Sequence, residues 1–163
     1  MPLMTDPHEG LVSFQQALDN GEIQLHACHT DRNLYVHVDQ PAPEITRYTY
    51  TQLLADKVST GISILVMVEP YKGLPCFQVG YAVPEKFRGQ GIATDVLMAS
   101  IKELRAGLSR NGVKVPLFIE ALIDTTNASS IRVAEKVLGP SLKETTDEMS
   151  GTPAYQFMLK VNP

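Results

Sequence analysis

The segment Gly80-Tyr-Ala-Val-Pro-Glu-Lys-Phe-Arg88-Gly-Gln-Gly91-Ile-Ala93 sets two glycines and two cations between a strand and a helix. Tyr81 and Val83 alternate with Gly80 and Ala82 as strand residues do, Pro84 ends the pairing, and Gly89 and Gly91 let the backbone turn tightly. A helix that begins on such a turn aims free N–H groups and the positive end of its dipole at one point. That arrangement holds a phosphate or pyrophosphate without a metal. Lys86 and Arg88 add full positive charge beside it. Another kind of chemistry rests on one residue, Glu120, the sole charged side chain between Val115 and Ile123. A carboxylate desolvated among apolar residues is the usual form of a general base that works near neutral pH, although a Glu that escapes to a sheet edge or pairs with a buried Arg fits the same pattern. His37 and Asp39 are alternative bases, more commonly surface residues of a strand. His26 and His29 lie three apart with no third ligand in view, so no metal site is expected.

Competing glycine-loop chemistries are separated by the residues themselves. A dinucleotide fingerprint needs Gly or Ala at position 94, where this chain has Thr94, and an acidic residue closing a second strand. A P-loop needs Gly-Lys followed by Ser or Thr, a triplet absent from the chain. An ordinary glycine-rich connection remains open, as does the pattern Arg88-x-x-Gly91-x-Ala93 at a strand–loop–helix junction. That pattern resembles the pyrophosphate-binding signature of the GNAT family of N-acetyltransferases. Downstream, an apolar strand leads to Asn127-x-x-Ser130 and a helix that finishes Glu135-Lys136-x-Leu138-Gly139, which is similar to the family's next block. The resemblance covers about residues 62 to 139 and extends over the C-terminal strands only by pattern.

It implies an α/β (α+β) fold: a mixed, largely antiparallel sheet flanked by helices, in which two splayed strands admit acetyl-coenzyme A. By the same resemblance, Ala82 and Val83 make main-chain contacts to pantetheine, Arg88, Gly89, Gln90, Gly91, Ile92, Ala93 and Thr94 hold the pyrophosphate, and Asn127 contacts the arm, with Ser130 a weaker candidate. Asn127 also reads as a helix N-cap, a role that can coexist with ligand contact. The implied activity is direct transfer of an acetyl group to a primary amine of a small molecule or peptide, with Glu120 as base. Many members carry a Tyr seven residues after the Asn as the acid, and here that position is Ala134. Pro140 replaces the aromatic that often follows the Leu-Gly. Tyr155 and Tyr81 are candidate substitutes, water another. A domain that binds an acyl-coenzyme A as a sensor without turning it over is the alternative.

The elements that must position these residues are legible from periodicity. Leu97, Ile101, Leu104 and Leu108 make one stripe of a helix from Thr94 to about Arg110, closed by Asn111-Gly112. Val115–Ile123 is nearly continuous in apolar residues and should be a strand covered on both faces. Ile131, Ala134, Val137 and Leu138 share a face of the following helix, which Gly139-Pro140 stops. Leu11, Phe14 and Leu18 predict a short helix over about 9–18. Leu34, Val36 and Val38 mark a strand whose polar alternates include His37 and Asp39, Gln40–Glu44 a loop, and Arg47–Thr51 another strand. Ile62–Val68 and Phe77–Val83 should form a hairpin around Tyr71–Pro75. Tyr155, Phe157, Leu159 and Val161 mark a last strand after the turn at Ser150–Pro153. The region before Ile62, helical in most of the family, reads as strand-rich. It shapes the acceptor pocket there, so the acceptor is the least specified element of the reading.

A chain of 163 residues with 44% hydrophobic content can bury a core as a single domain over residues 1–163. The formal net charge of −4 and the lack of a basic stripe argue against a nucleic-acid partner. Ile64–Val68 is far short of the ~20 residues that span a bilayer, and Met1–Glu9 has no secretory pattern. Cys28 and Cys76 read as free thiols. Together these point to a cytoplasmic protein with an amine acceptor as partner, no membrane association, and a homodimer among the assemblies open to it.

Overall fold

The computed structural model describes residues 6–148 and 150–163; residues 1–5, part of the segment read above for a secretory pattern, lie outside them. The chain runs α1 (Pro7–Asp19), β1 (His26–Ala27), β2 (Leu34–Ala42), β3 (Ile45–Leu54), β4 (Val58–Tyr71), β5 (Leu74–Ala82), a 3-10 turn (Glu85–Phe87), α2 (Ile92–Arg110), β6 (Leu117–Asp124), α3 (Ala128–Leu138), β7 (Lys143–Thr146) and β8 (Pro153–Val161). The strands form one sheet in the order β1-β2-β3-β4-β5-β6-β8-β7. Every neighbouring pair is antiparallel except β5–β6. This is the mixed, largely antiparallel sheet with flanking helices that the sequence implies, and the region before Ile62 is strand-rich as read.

The hairpins are tighter than expected. β4 and β5 are joined by Lys72-Gly73 alone, with φ of 50° and 77°; positive φ at both central residues matches the right-handed twist of the strands. The expected loop Gln40–Glu44 shrinks to Pro43-Glu44, because β2 continues through an irregularity to Ala42. β1 covers β2 only at Tyr35 and Val36. Beyond them β2 is a sheet edge, where the missing N–H of Pro41 removes no ladder bond.

The helices cover the two faces unequally. On one face, Leu11 and Phe14 of α1 pack on Ile62, Ile64 and Val66 of β4. Gln15 fixes the register there: its Nε2 donates to the Lys57 carbonyl (3.0 Å) and its Oε1 accepts the Ser59 N–H (2.8 Å). On the other face, Leu97, Ile101 and Leu104 of α2, with Ala134 and Leu138 of α3, bury Leu65, Phe77, Val79, Ile119, Ala121 and Phe157. Each large side chain buried in this way contributes about 1.5–3 kcal/mol.

Two buried charges anchor α2. Arg105 donates to the main-chain carbonyls of Val113 (2.5 Å) and Val115 (2.8 Å), fixing the turn into β6. Glu103 accepts from the N–H groups of His29 (3.1 Å) and Thr30 (2.8 Å) and from the Thr30 hydroxyl (2.8 Å), and pairs with Arg110. Burial pushes the Glu103 pKa up, but these donors outweigh it and leave the carboxyl below its usual range. β6 departs from the expectation of cover on both faces. Leu117, Phe118 and Ile119 are all buried, whereas from Glu120 onward burial alternates, so one face of the strand is open.

Candidate active site

The open face of β6 begins where the sheet forks. β5 and β6 pair only through Cys76–Phe118, Phe77–Ile119 and Gln78–Glu120. Beyond the last pair, β5 continues to Ala82 and β6 to Asp124 without bonding to each other, while their outer partners β4 and β8 follow them to Ile62 and Ala154. A cavity of about 1270 Å³ runs along this fork.

Each arm leads to a helix N-terminus. Gly91 precedes α2 with φ of 77° and no side-chain cap, so the first-turn N–H groups of Ile92, Ala93 and Thr94 face outward without a side-chain acceptor. Gly89 has φ of 78°, and a Cβ on either glycine would meet nothing within 4 Å, so the left-handed backbone alone demands them. The α3 terminus differs: the Asn127 Oδ1 accepts from the Ser130 N–H (3.2 Å) and the Ser129 hydroxyl (3.3 Å), the N-cap expected of Asn.

Ala82, Val83, Arg88, Gly89, Gly91, Ala93 and Thr94 line the cavity from the first arm, and Asn127 and Ser130 from the second. Arg88 is held by its Nε–H bond to the Val83 carbonyl (3.0 Å), which leaves the rest of its guanidinium facing the cavity. Three side chains of this segment lie away from the cavity. Gln90 is exposed and does not line the cavity. Ile92 lies against the sheet, where a Cβ at Gly61 would come within 2.7 Å of its Cγ2, so its part is confined to the main chain. Lys86 turns over the Phe87 ring (5.1 Å) and borders a separate depression with Pro84 and Glu85.

Glu120 stands at the base of the fork, half-buried, and its Oε2 accepts from Gln156 Nε2 at 2.6 Å. Neither the sheet edge nor a buried Arg claims it. Tyr155 is a correction: it pairs with Ile123 and packs in the core beneath α2 and α3, on the face opposite Glu120. In β8 the alternation brings Gln156, not Tyr155, to the cleft. Tyr81 also points to the helical face, where its hydroxyl donates to the Ser130 carbonyl (2.6 Å) and ties the two arms together. Burial raises its pKa, with a main-chain hydrogen bond from Ala134 acting against the shift. Asp39 is engaged by Arg47 (2.9 and 2.5 Å) on β2, beyond β3 and β4, and His37 shares that strand.

Sequence reasoning missed Gln78, Arg132, Lys136 and Gln156. Arg132 and Lys136 lie one turn apart on α3, away from its buried Ala134 and Leu138, a spacing that could have marked them. With Arg88 they make the wall next to the α2 terminus basic. The acidic side chains Glu120, Asp124, Asp6 and Glu9 line the same cavity. Asp124 is held below its usual pKa by the Thr126 hydroxyl (2.7 Å) and N–H (2.9 Å), and by the Thr152 hydroxyl (3.2 Å). An uncapped helix terminus on a glycine loop, three cations and a narrow fork suit a pyrophosphate with an extended arm.

A model of the acetyltransferase (GNAT) domain matches residues 13–137, reaching further toward the N-terminus than the two sequence motifs do. No functionally curated protein matches the sequence. Among solved structures, ribosomal-protein-S5-alanine acetyltransferase from Vibrio fischeri superposes with a TM-score of 0.52 at 14% identity, covering 72% of this chain and 62% of that one. RimJ of Mycobacterium smegmatis in complex with CoA-disulfide gives a TM-score of 0.54 at 16% identity, covering 71% and 53%. A chain of the NatC complex bound to Gag peptide and CoA gives 0.52 at 14% identity, covering 98% and 84%. The chain thus spans less than two thirds of the length of the two bacterial enzymes, and these likenesses show a shared fold. With most of its length matched by the family model and its sheet forked in the same fold, this chain belongs to the GNAT acetyltransferase family, whose members use acetyl-coenzyme A.

Proposed function

We propose that this chain, as one domain, is an N-acetyltransferase that moves an acetyl group directly from acetyl-coenzyme A to a primary amine of a small molecule or peptide. The observation that carries the reading is Glu120 at the base of the fork, where both arms of the cavity meet. Bound acetyl-coenzyme A supplies the acetyl thioester. The uncapped N–H groups of α2, with Arg88, Arg132 and Lys136, hold its pyrophosphate; the main chain of Ala82 and Val83 and the free amide nitrogen of Asn127 border its arm. Glu120 takes a proton from the amine, directly or through a water, as the amine nitrogen bonds to the acetyl carbon and the carbon–sulfur bond breaks. With Tyr155 on the far face and the Tyr81 hydroxyl committed to Ser130, water returns the proton to the thiolate. The acidic lining favours a cationic acceptor. α1 packs on β4 and β5, and the two-residue turn between β2 and β3 leaves no intervening helix over that side, which gives room for a peptide. Two structural neighbours are a ribosomal-protein-S5-alanine acetyltransferase and a NatC complex bound to Gag peptide.

Fully buried Ala134, in place of the family's tyrosine, favours a second reading, an acyl-coenzyme A sensor without turnover. Thiol release from acetyl-coenzyme A in the presence of butylamine, spermidine and short peptides separates the two. Release with an amine supports transfer; coenzyme A binding with no release from any of them supports the sensor.

A further inference from the structure

Gln156, which lines the cleft, carries a buried hydrogen-bond acceptor with no partner among the described residues. On β8 and in register with Leu122 of β6, it lies on the same face of the sheet as Glu120. Its Nε2 donates to Glu120 Oε2 at 2.6 Å, which fixes the orientation of the amide. The Oε1 atom therefore points away from Glu120, and it is fully buried with no donor among the described residues. A buried amide oxygen without a partner is costly, and proteins keep such groups where a ligand supplies the missing donor. Both side chains line the cavity at the base of the fork.

We propose that Gln156 binds and orients the acceptor, its Oε1 accepting one N–H of a primary amine while Glu120 accepts the other. The inference rests on the N-acetyltransferase reading and deepens it, since it specifies the class of amine. A neutral primary amine has two N–H groups and satisfies both acceptors. A neutral secondary amine has one, and must leave either the base or the buried oxygen unmatched. Sites built to pair a donor reject analogues that lack it. The enzyme should therefore prefer a primary amine over its N-methyl analogue, and Gln156 should set that preference. Gln156→Met keeps the length of the side chain while removing both polar ends.

The test compares wild type and Gln156→Met on butylamine, spermidine and a glycyl tripeptide, each against its N-methyl counterpart, with coenzyme A affinity measured by calorimetry. The expected result is a KM for the primary amine raised by about tenfold, the size of one lost hydrogen bond, and a primary-over-N-methyl ratio lowered to match. Coenzyme A affinity should be unchanged. An unchanged KM and ratio in a variant that still binds coenzyme A overturns the inference and leaves the transferase reading standing. If the wild type releases thiol with none of these amines, the transferase reading falls and takes this inference with it. Should Gln156→Met fail to bind coenzyme A, Gln156→Asn, which withdraws the amide by one methylene, reads the same two quantities.

Discussion

The two helices that meet the fork begin in opposite ways. α2 starts on a left-handed glycine with its first N–H groups uncapped, whereas α3 starts on Asn127, whose side chain already satisfies the Ser130 N–H. Both termini carry a positive dipole end, yet only the first leaves several donors free for an anion. The basic side chains of α3 then matter more than its terminus: Arg132 and Lys136 approach from the helix flank. A helix N-terminus is thus an anion site only when its own sequence leaves it uncapped.

If that division is right, the base of the fork is chemically independent of both arms. Glu120→Gln should lower turnover by ~10²–10⁴-fold with little change in coenzyme A affinity, as expected for loss of a well-placed base. Equal rates for Glu120→Gln and wild type across the pH range would make Glu120 structural. Gly91→Val attacks the open terminus. It forces a branched side chain into left-handed backbone, at a cost of about 1–2 kcal/mol in stability, and places bulk over the free N–H groups. Calorimetry should show coenzyme A affinity reduced by about tenfold or more, the scale of one or two charge-assisted bonds. Unchanged affinity in the folded variant would remove the anion site from α2. The smallest effect is expected at the capped terminus. Asn127→Asp keeps the cap, so its melting temperature should match wild type. It loses the amide donor, so affinity should fall by about 2- to 10-fold. If neither quantity moves, Asn127 is a cap alone and the contrast between the termini is complete.

What the sequence disclosed about this site was local. The strand–glycine–helix order, the Asn127 cap and the apolar stripes of α2 and α3 each lie within one stretch of chain, where spacing and residue type fix conformation. Gln78 and Gln156 carry no signal that singles them out, because they meet Glu120 only through β5–β6 and β6–β8 pairing, whereas Arg132 and Lys136 show only a one-turn spacing on α3. Tyr155 shows how unforgiving strand parity is: one position from Gln156, it lies on the opposite face of the sheet. The strands β1 and β7 escaped notice because two residues, and the sequence Lys-Glu-Thr-Thr, carry no alternation of apolar side chains. The loop expected at Gln40–Glu44 is shorter because Pro41 sits within an edge strand, and only Pro43 lies in the turn.

The single parallel junction in the sheet also sets an order of assembly. β2 to β5 are joined in sequence by short turns, so their pairing closes small loops, while β5 can meet β6 only after the whole of α2 has been laid down between them. Contacts closing short loops form fast and crossover contacts late. The antiparallel meander should therefore gain protection first, and the fork, which exists only where the parallel pairing stops, should appear last. Pulse-labelled hydrogen exchange during refolding would show the Leu65 and Val79 amides protected ahead of the Phe118 and Glu120 amides; simultaneous protection would mean that the halves fold as one. A chain interrupted before β6 would carry its glycine loop and still have no cleft.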